Sequence, residues 1–208
     1  MDFCKTLGSL NNIAVSCDLT SGWENVGYIV SRDDVDFASI VKGYTASGDG
    51  TSYPNTVVTQ FALKDSKKGK YIAQLKNAFA DTAVSLNAGD YKNTVTSTVS
   101  FKVFGSSPEI AKTMNALLNG EYVVILQSKY KGENGEAAYH IFGLSQGLEI
   151  SALDQTISDD GFPGFSVSLE ETAGDSAQYF LFVSADGTSE PTLAATEACL
   201  ASAFETVE

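Results

Sequence analysis

No lysine or arginine follows Lys131 in this chain of 208 residues, whereas fourteen aspartates and glutamates lie between Gly132 and Glu208. The formal net charge is −13, and Arg32 is the single arginine. Tight binding of nucleic-acid phosphates needs a basic surface, and the only basic stretch is KDSKKGK at 64–70. That cluster reads as a solvated hairpin tip, with phosphate or acidic-lipid binding as the alternative. His140 is the only histidine, so HExxH and histidine-rich metal clusters are excluded. Cys4, Cys17 and Cys199 form no CxxC pair and leave an odd count, which speaks for reduced thiols rather than a disulfide framework or a zinc knuckle. The opening MDFCKTLGSLNNIAVSCDL has an acid at position 2 and no long apolar core, unlike a signal peptide. No run approaches the ~20 apolar residues of a membrane span. A soluble, unprocessed product that does not enter a membrane is the expectation.

Catalytic signatures are missing in the same way. There is no GxSxG elbow, and no cysteine lies in a nucleophile motif. KKGKY at 67–71 lacks the leading glycine and trailing Ser or Thr of a P-loop. GLSQG at 143–147 joins two strand-like runs instead of opening a helix, so it cannot cradle a pyrophosphate in the Rossmann manner. RDDVD (32–36) and SDDG (158–161) could offer oxygen ligands to calcium, but neither has EF-hand spacing, and Asp159-Asp160-Gly161 reads as a turn. Carboxylate pairs are uninformative among twenty-six acids. The reading is of a protein that is not an enzyme and takes no cofactor or metal.

What is abundant is strand material. Twelve Phe, nine Tyr and many Val and Ile are punctuated by eighteen Gly and by Asn, Asp and Ser. A chain of this length buries roughly 70% of its unfolded surface and needs no crosslink to fold. Strand-like runs occur at 26–31, 56–64, 70–75, 94–104, 121–129, 137–143, 147–157, 165–171 and 177–184. TVVTQFALK (56–64) and KYIAQL (70–75) flank the basic tip and predict a hairpin. In TVTSTVSFKVF (94–104) Thr and Ser alternate with Val, the pattern of a half-buried strand. Asp33 or Asp34 is placed to cap a short helical turn.

The spacing predicts a helix over 107–119. Ser107 is the N-cap, Pro108 takes the first helical position, Ile110, Met114, Leu117 and Leu118 form one apolar stripe, and Gly120 stops it. Residues 189–205 predict a C-terminal helix in which Leu193, Leu200 and Phe204 share a face. The segments 43–55 and 77–93 have loop composition. Together these elements describe one domain over 1–208, mainly β, a β-sandwich or partly closed barrel with a packed helix and a C-terminal helix.

The candidate base, His140, lies in AAYHIFG on the strand face of Ala138 and Phe142, with Tyr139 and Ile141 opposite. A strand-interior histidine is more often a packed residue than a catalytic one, since a triad is a matter of geometry. On that reading Tyr139, Ile141, Val123 and Ile125 supply a core face.

Two segments carry a resemblance. VSCDLTSGWENVGYIVSRDDVDF (15–37) is a short strand, a small-residue turn and a strand ending in Arg-Asp-Asp. EIAKTMNALLNGEYVVILQSKYKGENGEAAYHIFGLSQGLEISALDQTISDDGFPGFSVSLEE (109–171) runs helix, strand, turn, strand ending in Gly, strand, acidic turn, strand. This layout resembles the major tail proteins, or tail tube proteins, of bacteriophages of Bacteroides-type hosts. The 43–55 loop and the helical C-terminal tail depart from that pattern.

The resemblance implies a virion structural protein, made in the bacterial cytoplasm, that forms stacked hexameric rings. Its partners would be copies of itself and other tail proteins, with DNA passing through the lumen without tight binding. Acidity suits such a lumen. The assembly contact is expected in the 43–55 loop, at Tyr44, Gly48, Asp49, Gly50 and Tyr53. Two other readings stay open. One is a virion component of similar fold, such as a head–tail connector, tail terminator or capsid decoration protein. The other is a carbohydrate-binding sandwich with an aromatic platform around Trp23 or Tyr53.

Overall fold

The computed structural model describes residues 22–45, 52–75, 79–88, 90, 92–156, 163–175, 178–187 and 189–205; for 52–54 only the backbone is considered. The strands are β1 (Trp23–Ser31), β2 (Val41–Thr45), β3 (Ser52–Gln60), β4 (Lys70–Ala73), β5 (Ala83–Asn87), β6 (Thr94–Phe104), β7 (Tyr122–Ser128), β8 (Tyr139–Phe142), β9 (Glu149–Thr156), β10 (Gly164–Gly174) and β11 (Tyr179–Leu181). The helices are α1 (Pro108–Leu117) and α2 (Leu193–Ala203), and the mainly β class read from the sequence holds. The strands form a seven-stranded sheet, in the order β2-β3-β11-β8-β7-β1-β4, and a four-stranded sheet, β5-β6-β10-β9.

The central strand β7 explains the layering. Val123, Val124, Ile125 and Leu126 are all fully buried, the continuous apolar run of a strand covered on both faces. Val123 and Ile125 point into a first core with Tyr139, Ile141 and Leu181, closed from above by Phe61, Leu200 and Phe204. Val124 and Leu126 point the other way, into a second core with Phe142, Val99, Phe101, Val167 and Leu169 of the smaller sheet. The result is three layers: α2 with the 61–69 crossing, the large sheet, and the small sheet with α1. In β6 the alternation is plain, with Val95, Ser97, Val99 and Phe101 buried between more exposed neighbours.

Several local expectations hold for the reasons given. Ser107 caps α1, its Oγ accepting from the Ile110 N–H at 3.3 Å, with Pro108 opening the helix. Met114 is buried, and Ile110 and Leu117 pack beside it, but Leu118 turns out to solvent and does not belong to the stripe. The C-terminal helix spans 193–203, and Leu193, Leu200 and Phe204 all reach the first core. β7 and β8 form the hairpin around 129–137, with Ile125 opposite Ile141.

Other expectations are corrected. The 56–64 and 70–75 runs do not pair: β3 pairs with β2 and β11, while β4 pairs with β1 at the far edge of the sheet. The basic stretch between them is therefore a crossing over the first core, because Phe61 and Leu63 need burial there. Its lysines meet acids that precede or follow: Lys67 pairs with Asp34 at 2.9 Å, and Lys70 pairs with Glu205. The described ends of the 43–55 segment are strand, β2 running to Thr45 and β3 starting at Ser52, and 46–51 lie outside the described residues. The 77–93 segment contains β5, whose Ala83–Asn87 pair with Thr94–Thr98 of β6. Asp36, not Asp33 or Asp34, does the capping, accepting from the Ala38 N–H at 3.2 Å in the turn Phe37–Ser39.

The chain end is tied down by one glycine. Gly69 donates to the Ala203 carbonyl and accepts from the Glu205 N–H, both at 3.0 Å. A Cβ there would stand 2.2 Å from the Phe204 ring, so only glycine lets the two backbones approach.

Candidate functional site

His140 sits on β8 opposite Leu126 of β7, on the face toward the second core. Its ring is boxed by Trp23 (centroids 4.9 Å, 88°) and Phe180 (4.7 Å, 62°), both edge-to-face. Nε2 lies 3.2 Å from the Ala137 carbonyl oxygen, an acceptor, so Nε2 carries the proton. Nδ1 then accepts from the Gln178 side-chain amide. Burial disfavours the imidazolium and pulls the pKa from 6.5 down to about 4, only partly offset by the Ala137 contact. At neutral pH the ring is uncharged with both nitrogens occupied. It is poorly placed to take a proton from a substrate.

Trp23, the candidate sugar platform, is spent on the same packing, edge-on to His140 and to Phe142 at 5.8 Å. Cys199 is half-buried, its thiol 3.5 Å from the Phe61 carbonyl and pushed up in pKa by burial, away from thiolate character. Cys4 and Cys17 lie outside the described residues, as do Asp159, Asp160 and Gly161.

Among the described residues the one buried acid is Glu171, 5% exposed, and its Oε1 accepts from the Ser145 hydroxyl at 2.6 Å and the Gln146 N–H at 2.7 Å. These bonds fix the 143–147 turn, where the chain leaves the large sheet for the small one. Gly143, with φ 77°, starts that turn, and a Cβ there would meet the Tyr122 carbonyl at 2.4 Å. Arg32 adds a bond from Nη2 to the Ser145 carbonyl at 2.9 Å. Beside it Asp175 accepts from the Tyr179 hydroxyl at 2.7 Å. Burial raises that carboxyl, but the hydroxyl bonds and the Lys42 charge outweigh it and hold it below the ordinary range. Among the described residues no group of three or more His, Cys, Asp and Glu is placed to hold a metal ion. Nor is any described helix long and apolar enough to cross a membrane.

Of the expected assembly residues, Tyr44 and Tyr53 are brought opposite each other in the β2–β3 ladder. Tyr44 reaches back onto the chain itself, its hydroxyl donating to Glu190 at 3.1 Å and its ring edge-on to Phe182 at 5.5 Å. Gly48, Asp49 and Gly50 lie outside the described residues.

A further concavity lies at the open side of the sandwich. A cleft of about 590 Å³ separates β4 from the second half of β6, with α1 as its end wall. Its floor is Ile72, Phe101, Val103, Met114 and Leu117, and Lys68, Lys70 and Lys102 stand around it. Both long walls are strand edges. Among the described residues β4 pairs only with β1, and β5 pairs with β6 only as far as Thr98.

One residue bridges the walls. The Gln74 side-chain amide donates to the Lys102 carbonyl at 2.6 Å, and its oxygen accepts from the Lys102 N–H at 2.9 Å. A side chain here does what the backbone of a neighbouring strand would do. The sequence reading missed Gln74. Its only signal was a polar residue inside the run KYIAQL, between Ala73 and Leu75.

The chain matches no family model, no curated protein and no solved structure.

Proposed function

We propose that the chain is a self-assembling structural subunit, a virion protein whose stacked rings build a phage tail tube that conducts DNA. The observation that carries this reading is the state of the four-stranded sheet. Among the described residues β9 pairs only with β10 on one side, and on the other β5 covers β6 only as far as Thr98. Exposed strand edges template association, and folded proteins ordinarily blunt or cover them. A sheet left open at both ends suits a protein whose neighbours complete it. Two different edges also make a head-to-tail contact, the kind that closes into rings or continues into stacks.

Other features support the same reading. The one histidine is taken up in packing. The segment beyond Lys131 is wholly acidic, which suits a surface past which a polyanion must slide. Partners on this reading are copies of the chain and other tail proteins. Electron microscopy and sedimentation of the purified protein over a range of concentration and salt test it. Rings or tubes are the expected result. Rings that close and never stack would move the assignment to a connector or terminator, and a monomer under every condition would overturn it.

A further inference from the structure

One edge of the four-stranded sheet, β5, carries no charge and leaves its apolar side chains in water. We propose that β5 makes a two-fold contact. Its outer edge pairs antiparallel with the β5 of a second copy about Ser85, joining the small sheets of both copies into one. This contact goes beyond the ring reading above and does not depend on it.

Three observations converge on it. The first is hydrogen-bonding capacity. β5 pairs with β6 from Ala83 opposite Thr98 to Asn87 opposite Thr94, and it stands at the end of the sheet order. Among the described residues no strand lies along its other edge. Ala83–Asn87 therefore presents about 17 Å of open main chain at the usual rise per residue. Edges of this kind template pairing with another chain.

The second is apolar exposure in a self-matching order. All of Ala83–Asn87 is exposed. Leu86, at 67%, is the most exposed large apolar side chain among the described residues, and Val84 is at 39%. They stand opposite Val95 and Ser97 of β6, both buried, and so lie on the inner face of the sheet. Neither joins either core. An antiparallel two-fold through Ser85 sets Val84 of each copy against Leu86 of the other, on that same face. Ala83 and Asn87, on the outer face, then oppose each other across the contact. Self-complementarity of this sort is what a two-fold contact requires.

The third is charge. Ala83–Asn87 holds no ionisable side chain, in a chain of net charge −13. β9, at the other end of the same sheet, carries Glu149 and Asp154, both exposed, and no basic residue. Two β9 edges repel, whereas two β5 edges do not. Asp81 and Asp90 flank β5, both exposed, and the pairing brings Asp81 of one copy near Asp90 of the other. Association should therefore strengthen as salt screens those ends.

Cysteine cross-linking tests the contact and its register. With Cys4, Cys17 and Cys199 replaced by serine, Ser85→Cys should oxidise to a disulfide-linked dimer, because the two-fold places residue 85 opposite itself. Ala83→Cys and Asn87→Cys should stay largely unlinked when alone and link when mixed. In the native-cysteine chain, Leu86→Lys should raise the dimer dissociation constant at least about tenfold in sedimentation. Circular dichroism and melting should not change, because that side chain is exposed. This last measurement decides the question even if the cysteine-free chain does not fold. A Ser85→Cys chain that links no faster than Ala152→Cys, an exposed position on β9, overturns the contact. So does linking of Ala83→Cys alone at the Ser85→Cys rate, an unaltered dissociation constant in Leu86→Lys, or association that weakens with salt. Rings or tubes without the residue-85 disulfide leave the structural-subunit reading standing and refute this one. A residue-85 dimer that never forms rings does the reverse.

Discussion

The two faces of the seven-stranded sheet are finished in opposite ways. On one, the chain closes its own core: the 61–69 crossing and α2 cover it, and the backbone of Gly69 grips Ala203 and Glu205. On the other, the small sheet stops short, leaving an apolar cleft bridged by one glutamine. The first face is a finished interior, whose side chains matter for stability. The second is an unfinished one, whose exposed groups should matter little to the isolated chain and much to its association. Mutations that separate those two quantities break or sharpen the contrast.

The largest effect belongs to the closed face. Phe204 is 2% exposed in the first core, and Phe204→Ala should cost about 3–5 kcal/mol of unfolding free energy, read by urea denaturation. A loss below roughly 1 kcal/mol would mean that the C-terminal closure contributes little, and the contrast would fail.

Next is His140, on the middle of the sheet. Unfolded, it binds a proton below about 6.5; folded, burial delays this to about 4. Between those values the unfolded chain binds more protons, so acid favours unfolding. The stability is fully present above pH 6.5 and falls by roughly 3 kcal/mol on the way down to pH 4. His140→Phe should flatten that part of the pH profile, measured as melting temperature against pH. An unchanged slope would contradict the buried, neutral ring.

Thr196 tests how tightly α2 is held. It is fully buried, its hydroxyl accepting from the Val183 N–H at 2.8 Å and donating to the Thr192 carbonyl at 2.9 Å. Thr196→Val keeps the shape and orphans a backbone donor, so denaturation should show a loss of about 1–3 kcal/mol.

The smallest effect belongs to the open face. Leu75→Ser, beside Gln74, should move the stability of the isolated chain by no more than about 0.5 kcal/mol, because that side chain is 64% exposed. A large loss of stability on urea denaturation would place Leu75 in the monomer core instead and remove the contrast between the faces.

The legibility of the sequence follows the same division. α1 was readable because its cap, proline and apolar stripe are local, and they act where they stand in the chain. β6 was readable because a strand half-buried along most of its length must alternate. The face shared by Tyr139 and Ile141 followed from strand periodicity, and the same periodicity set His140 opposite them. The 56–64 and 70–75 runs looked like a hairpin because nearness in sequence stood in for pairing. β3 instead found β2 and β11, and β4 found β1. Gln74 and the cleft were invisible, because an unpaired edge is a relation between distant segments.

The amino-acid order alone therefore settled composition, class, the helix cap and which strand faces turn inward, since these depend on neighbours a few residues apart. Folding in three dimensions decided which strands pair, where the sheets stop, and that Lys102 meets Gln74 rather than another strand. Strand partners are chosen by the burial of both faces of β7 at once, a condition met only when the whole chain is assembled around it.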